Sequence, residues 1–189
     1  MKKLSAFFYR LSSGWLVLAA LLGLVLFGIF ILPQFNARTG QFAAGVGVPD
    51  LLFTYSGKEL YAMAQAYGEA GRADFVNLHW TIDLAFPFIY TFFLITGSSW
   101  LLRGSIPAAS PARLWNLLPL AAFLLDLGEN AATSAVMLRF PAQAGLAQAL
   151  APLLTPLKWL FVLASFGLLL VALVLWCLRR LGRQKAYNP

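Results

Sequence analysis

Residues 14–32 read GWLVLAALLGLVLFGIFIL, nineteen residues without a charge. A bilayer core about 30 Å thick needs roughly 20 helical residues, so this stretch predicts a membrane-spanning helix. Its apolar length exceeds the roughly 7–15 residues of a secretory signal core, which favours an uncleaved anchor over a removed signal peptide. Three further runs qualify, at about 75–102, 114–138 and 156–178. Within hydrocarbon, runs of this length satisfy their backbone polar groups only as helices. The expected fold is an all-α integral membrane protein, a left-handed bundle of four transmembrane helices forming one membrane domain over residues 1–189.

Composition agrees. Of 189 residues, 60% are hydrophobic and 11% charged, against about 45–50% and about 25% in soluble domains. A disordered chain, a disulfide scaffold and an ordinary soluble enzyme are excluded. The net charge of +7 sits at the ends of the apolar runs, where anionic lipid head groups are the expected partner and nucleic acid is not. The single cysteine, Cys177, allows neither an internal disulfide nor a cysteine cluster.

Lys and Arg set the orientation. The N-terminal tail, the loop between spans two and three, and the C-terminal tail share one side. Together they hold Lys2, Lys3, Arg10, Arg103, Arg113, Arg179, Arg180, Arg183 and Lys185, and no acid. Both termini are therefore expected in the cytoplasm of a multi-pass protein of the plasma membrane, the bacterial inner membrane. Trp15, Trp100, Trp115 and Trp176 fall at the expected inner ends, and Trp80 and Trp159 near the outer ends, as interfacial tryptophans do.

Residues 33–74 form the one long loop. Its first half is Gly-rich and apolar. In its second half Ser56 and Glu59 have the spacing of a capping box, which predicts a short amphipathic helix ending at Gly68 or Gly71. Leu60, Tyr61, Ala64 and Tyr67 mark its apolar face. It reads as a cap over the outer mouth of the bundle, or as a plain connector.

The spans carry an unusual polar set. Asp126, Glu129, Asn130 and Thr133 follow one helix face of span three. Span two carries His79, Asp83 and Tyr90, with Pro87 placed to kink the helix or free a carbonyl. Lys158 opens span four, able to point inward or to snorkel. Ionisable residues inside spans are costly and face protein or a wet cavity. The set predicts a pocket in the outer half of the membrane, with Asp126 as floor. Candidate catalytic residues are His79, Asp83, Asp126 and Glu129. Candidate ligand-binding residues are Tyr90, Asn130, Thr133, Lys158, Trp80 and Trp159. Three carboxylates with one lysine beside them cannot all stay charged in a dry site.

Three roles compete for this set. It binds a small amphipathic or lipid-like molecule, with or without acid–base chemistry; it locks helix packing as a buried charge cluster; or it carries protons or cations. The last is disfavoured by the apolar inner halves of the spans. A lone histidine with carboxylates is a weak metal signal, so no metal and no cofactor are assigned. Oligomeric state stays open.

The stretch Asp83-Leu84-Ala85-Phe86-Pro87-Phe88, the long partly helical loop after span one, and the acids Asp126 and Glu129 in span three resemble the layout of EXPERA-type membrane domains, known from emopamil-binding sterol isomerases and the sigma-2 receptor. The resemblance covers spans two to four. It implies that His79 and Asp83, one turn apart, do proton chemistry on a lipid-like substrate. An acid in span one, part of that layout, is absent here. The chain also looks like bacterial four-span proteins of no known function that carry an Asp-x-x-Glu-Asn motif in span three.

Overall fold

The computed structural model describes residues 1–43 and 45–187. Every regular element among them is helical. The long helices are α1 (Lys2–Leu11), α2 (Gly14–Phe42), α3 (Gly57–Leu102), α4 (Leu118–Arg139) and α5 (Leu146–Tyr187). Three of them, α2, α3 and α5, are long and apolar enough to cross a membrane. The fourth expected span, α4, has 22 residues, but Asp126, Glu129 and Asn130 hold its apolarity below that of the others.

The expected boundaries need correction. The helix of span one continues to Phe42, and Leu146–Tyr187 begins well before Pro156, which lies inside the helix with Pro152. Hydropathy marks where lipid is tolerated; it does not mark where a helix stops. Pro111–Leu117 forms a 3-10 turn, so the third helix starts at Leu118 and not at 114. Two π turns, Phe27–Ile31 and His79–Asp83, sit inside α2 and α3. Each lies just ahead of a proline, Pro33 or Pro87. Proline lacks the amide donor and its ring clashes with the carbonyl four residues back.

The capping box is present. Ser56 Oγ accepts from the Glu59 amide, and the Glu59 carboxylate accepts from the Ser56 amide at 2.6 Å. The helix it opens does not stop at Gly68 or Gly71. Gly68 makes a kink at φ 67°, ψ −178°, a conformation open in practice to glycine alone, and the helix then runs on into the second apolar run. So the long loop is shorter than its sequence implied: among its described residues, only 43 and 45–56 lie outside the long helices, and they include the turn Pro49–Leu51.

The first half of α3 packs Leu60, Met63, Ala64 and Tyr67 onto Val136 and Met137 of α4 and Ala151 of α5. Tyr61, expected on that face, sits at its edge and donates to the Pro141 carbonyl at 2.6 Å. Close approach at Gly71 brings α2 against α3: a Cβ there would lie 2.7 Å from Phe42 Cβ and 3.1 Å from Tyr67 Cβ. Neither atom is a flexible side-chain end. Gly71→Ala is expected to destabilise the protein by about 1–3 kcal/mol, the usual cost of overpacking, read by thermal unfolding in mild detergent.

The basic end is held by short polar links. Ser5 donates to Asn116 at 2.8 Å and Asn116 to Ser99 at 2.9 Å. Arg103 donates to the carbonyls of Tyr9 and Ser12, and Arg113 lies over the Tyr9 ring. The side chains of Arg183 and Lys185, two of the cations expected on the cytoplasmic side, lie outside the described residues. Along α2 and α5 the apolar side chains face outward. Trp15 is 85% exposed and Leu163 62%, far more apolar surface than a water-soluble monomer presents.

Candidate functional site

The site begins in the loop. Val48 and Pro49 are buried and carry Asp50 inward on the turn Pro49–Leu51. The Trp159 indole donates to the Asp50 carbonyl at 3.0 Å and fixes that turn against α5. Across from it is the π turn of α3, which projects His79. The His79 ring stacks on Phe75 at 3.7 Å between centroids. Its Nδ1 bonds the Phe75 carbonyl at 2.7 Å. A carbonyl only accepts, so Nδ1 carries a proton. The other nitrogen, Nε2, meets the Asp50 carboxylate directly.

Lys158 answers the snorkelling question by pointing inward. Its ammonium pairs with Glu129 and lies 3.7 Å from Asp50 and 3.9 Å from Asp126. Glu129 is fully buried. Its second oxygen accepts from Thr155, and Tyr55 lies 2.9 Å from the same hydroxyl. Asn130 donates to Asp83 at 2.9 Å, and Tyr90 donates to Asp126 at 3.1 Å. Burial alone would raise the carboxyl pKa of Asp50. The nearby His79 and Lys158 outweigh it and hold the group below the ordinary carboxylate range.

Beside this cluster lies a cavity of about 310 Å³. Its polar end is Asn36, Asp50, Asp83, Asp126 and Lys158; its apolar walls include Leu24, Leu32, Phe86, Val162 and Phe166. The walls come from both α2 and α5, whereas α2 packs chiefly on α3. The cavity therefore occupies a gap between α2 and α5.

The candidate residues sort by position. Asp83, Tyr90, Asp126, Lys158 and Trp159 line the cavity. His79, Glu129 and Asn130 stand behind that lining and hold it. Thr133 is fully buried and donates to the Glu129 carbonyl of its own helix at 2.9 Å, so it reaches no cavity. Trp80 is 44% exposed and donates to Ser134 at 3.0 Å, away from the cavity. Asp50, Tyr55 and Thr155 were not among the candidates. Asp50 had a signal: an acid in VGVPDLLF, set among apolar neighbours with no basic residue near.

Four of the chain's seven acids meet here: Asp50, Asp83, Asp126 and Glu129. Two basic groups, His79 and Lys158, face them. Asp50, His79 and Asp83 each offer one ligand atom, and these atoms lie within 4.8 Å of one another. Comparison with known proteins returns no matching family model, no matching curated protein and no matching solved structure.

Proposed function

We propose that the chain is a four-span protein of the plasma membrane, with both termini cytoplasmic, whose acid-lined cavity binds a small amphipathic, cationic, lipid-like molecule in the outer half of the bilayer. Even α4 supports four spans: at 1.5 Å per residue its 22 residues reach about 33 Å, and its acids turn toward protein. The observation that carries the function is the cavity's two-ended chemistry. One end holds three carboxylates with Asn36 and Lys158; the walls beyond are mostly hydrocarbon. Such a shape suits an alkyl or sterol-like body with a positive head, reached from the bilayer through the gap between α2 and α5. Carboxylates beyond the number of nearby cations favour a positive ligand.

The same arrangement suits isomerase-type chemistry, which needs no cofactor. Asp126 would give a proton to the ligand and Asp83, oriented by Asn130, would take one. The resemblance to EXPERA-type domains points the same way. Glu129 supports a different role. Buried behind the wall and tied to Lys158 and Thr155, it locks α4 to α5.

The test uses three amphiphiles of equal chain length, added to the protein in nanodiscs. Dodecyltrimethylammonium is expected to raise the melting temperature with the logarithm of its concentration, the stabilisation reaching about 2.7 kcal/mol at 100-fold over its Kd. Dodecyl sulfate and dodecyl maltoside are expected to leave it unchanged. Equal effects of all three, or an undiminished ammonium effect in Asp83→Asn, would overturn the reading.

A further inference from the structure

We propose that Asp50, His79 and Asp83 form a binding site for one divalent transition-metal ion, with zinc as its simplest occupant. This goes beyond amphiphile binding and does not depend on it. Three features of the geometry carry it.

The first is the histidine. Metal-bound imidazoles keep one nitrogen free for the ion and donate the other N–H to a carbonyl or carboxylate, which fixes the tautomer. His79 has this form. The Phe75 carbonyl takes the Nδ1 proton at 2.7 Å, and stacking on Phe75 fixes the ring plane. Nε2 faces the two carboxylates and carries a proton toward Asp50 when no ion is bound; it offers its lone pair once that proton leaves.

The second is the state of those carboxylates. Asp83 is oriented by the Asn130 amide at 2.9 Å, as ligating carboxylates are by their outer partners. Asp50 Oδ1 is buried and accepts no hydrogen bond. Its nearest cation, Lys158, is 3.7 Å away and closer to Glu129. Asp50 therefore keeps lone pairs unused by hydrogen bonds on a carboxylate whose other oxygen, Oδ2, meets His79.

The third is charge and reach. With Lys158 spent on Glu129 and the Nε2 proton released to solvent as the ion enters, two carboxylates and a neutral imidazole bring two negative charges to the triad, and a dication cancels them. Zinc binds nitrogen and oxygen at about 2.0–2.2 Å. Ligand atoms within 4.8 Å of one another close on such an ion with small side-chain rotations. The ion takes the place of the proton between Nε2 and Asp50. Three protein ligands leave a coordination position open, and Asp50 and Asp83 both line the cavity, so that position faces it. Zinc sites with three protein ligands and an open position are the catalytic kind.

The sequence supplies a clean probe, because His79 is the chain's single histidine. Untagged full-length protein labelled with ¹⁵N-histidine, stripped with chelator and titrated with zinc chloride alone, is expected to bind one equivalent. The Nε2 resonance should shift while Nδ1 remains protonated. Asp50→Asn and Asp83→Asn are each expected to weaken zinc at least roughly a hundredfold, more than loss of an outer partner costs. Asp126→Asn, outside the triad, should keep its one equivalent even where it loses the amphiphile, so the two proposals fail separately. An Nε2 signal that zinc leaves unmoved in the wild-type protein would overturn the site, as would full affinity in both triad variants. The wild-type spectrum decides even if a variant does not fold.

Discussion

Lys158→Met is expected to cost about 3–5 kcal/mol of stability, the usual result of removing one partner from a buried ion pair. Lys158 is only 5% exposed, and its ammonium pairs with Glu129, which has no exposed surface. Asp50 and Asp126 lie just beyond, at 3.7 and 3.9 Å. Methionine fills the space of the lysine stem and removes only the charge. Glu129 is then left as a carboxylate without a counter-ion in a dry contact between α4 and α5. If that is the cause, Lys158→Met/Glu129→Gln should recover much of the loss, because the second change removes the stranded charge. Unfolding in mild detergent, followed for the single and double variants, checks both. A single-variant loss under 1 kcal/mol would mean that Lys158 is solvated and the pair is unimportant.

Asp50→Asn is expected to be nearly as costly, at about 3 kcal/mol, and to act on a different part of the molecule. Asp50 is the inward anchor of the loop around 43–56. It meets His79 of α3 and Lys158 of α5 through its side chain, and Trp159 through its carbonyl. Without the charge the loop loosens. Limited proteolysis near Leu51 and Phe53, both exposed, should accelerate. The pH dependence has a definite sign. The folded carboxyl titrates below its unfolded value, so its stabilisation is complete above the unfolded pKa of about 3.9 and is lost as pH falls through the folded one. Wild-type stability should therefore decline below about pH 4 with a component that Asp50→Asn lacks. Identical acid limbs for the two proteins would refute this role of Asp50.

How much of this was legible in sequence depends on range. Helices came from local hydropathy, and the polar face of α4 came from helical spacing, since Asp126, Glu129 and Asn130 fall on one stripe whatever the helix packs against. The capping box at Ser56 and Glu59 was equally local. Helix ends were less legible, because a glycine such as Gly68 can kink a helix without ending it when neighbours hold both halves. The pairing of Asp50 with His79 was invisible for a stronger reason. Asp50 is 29 residues from His79, on a loop without periodicity, and only the folded backbone brings them together. Without Asp50 the lone histidine looked like a poor metal ligand. With it, two carboxylates and an imidazole share one corner. Thr133 shows the converse: it lies on the right face of α4 at the right spacing, yet its hydroxyl is consumed by its own helix.

In the proposed function, of the carboxylates facing the cavity, Asp50 anchors its loop, whereas Asp83 and Asp126 hold a ligand and not the helices. Asp126 separates the two roles, since it lines the cavity and its one hydrogen bond to a side chain comes from Tyr90. The direct measurement is mass spectrometry of the small molecules that co-purify with wild type and with Asp126→Asn, with melting temperatures taken on the same samples. The account predicts a cationic amphiphile retained by wild type and lost from a variant that melts within about 2–4 °C of it, under roughly 1 kcal/mol. Identical profiles with a large fall in melting temperature would contradict it and leave the cluster as a packing lock.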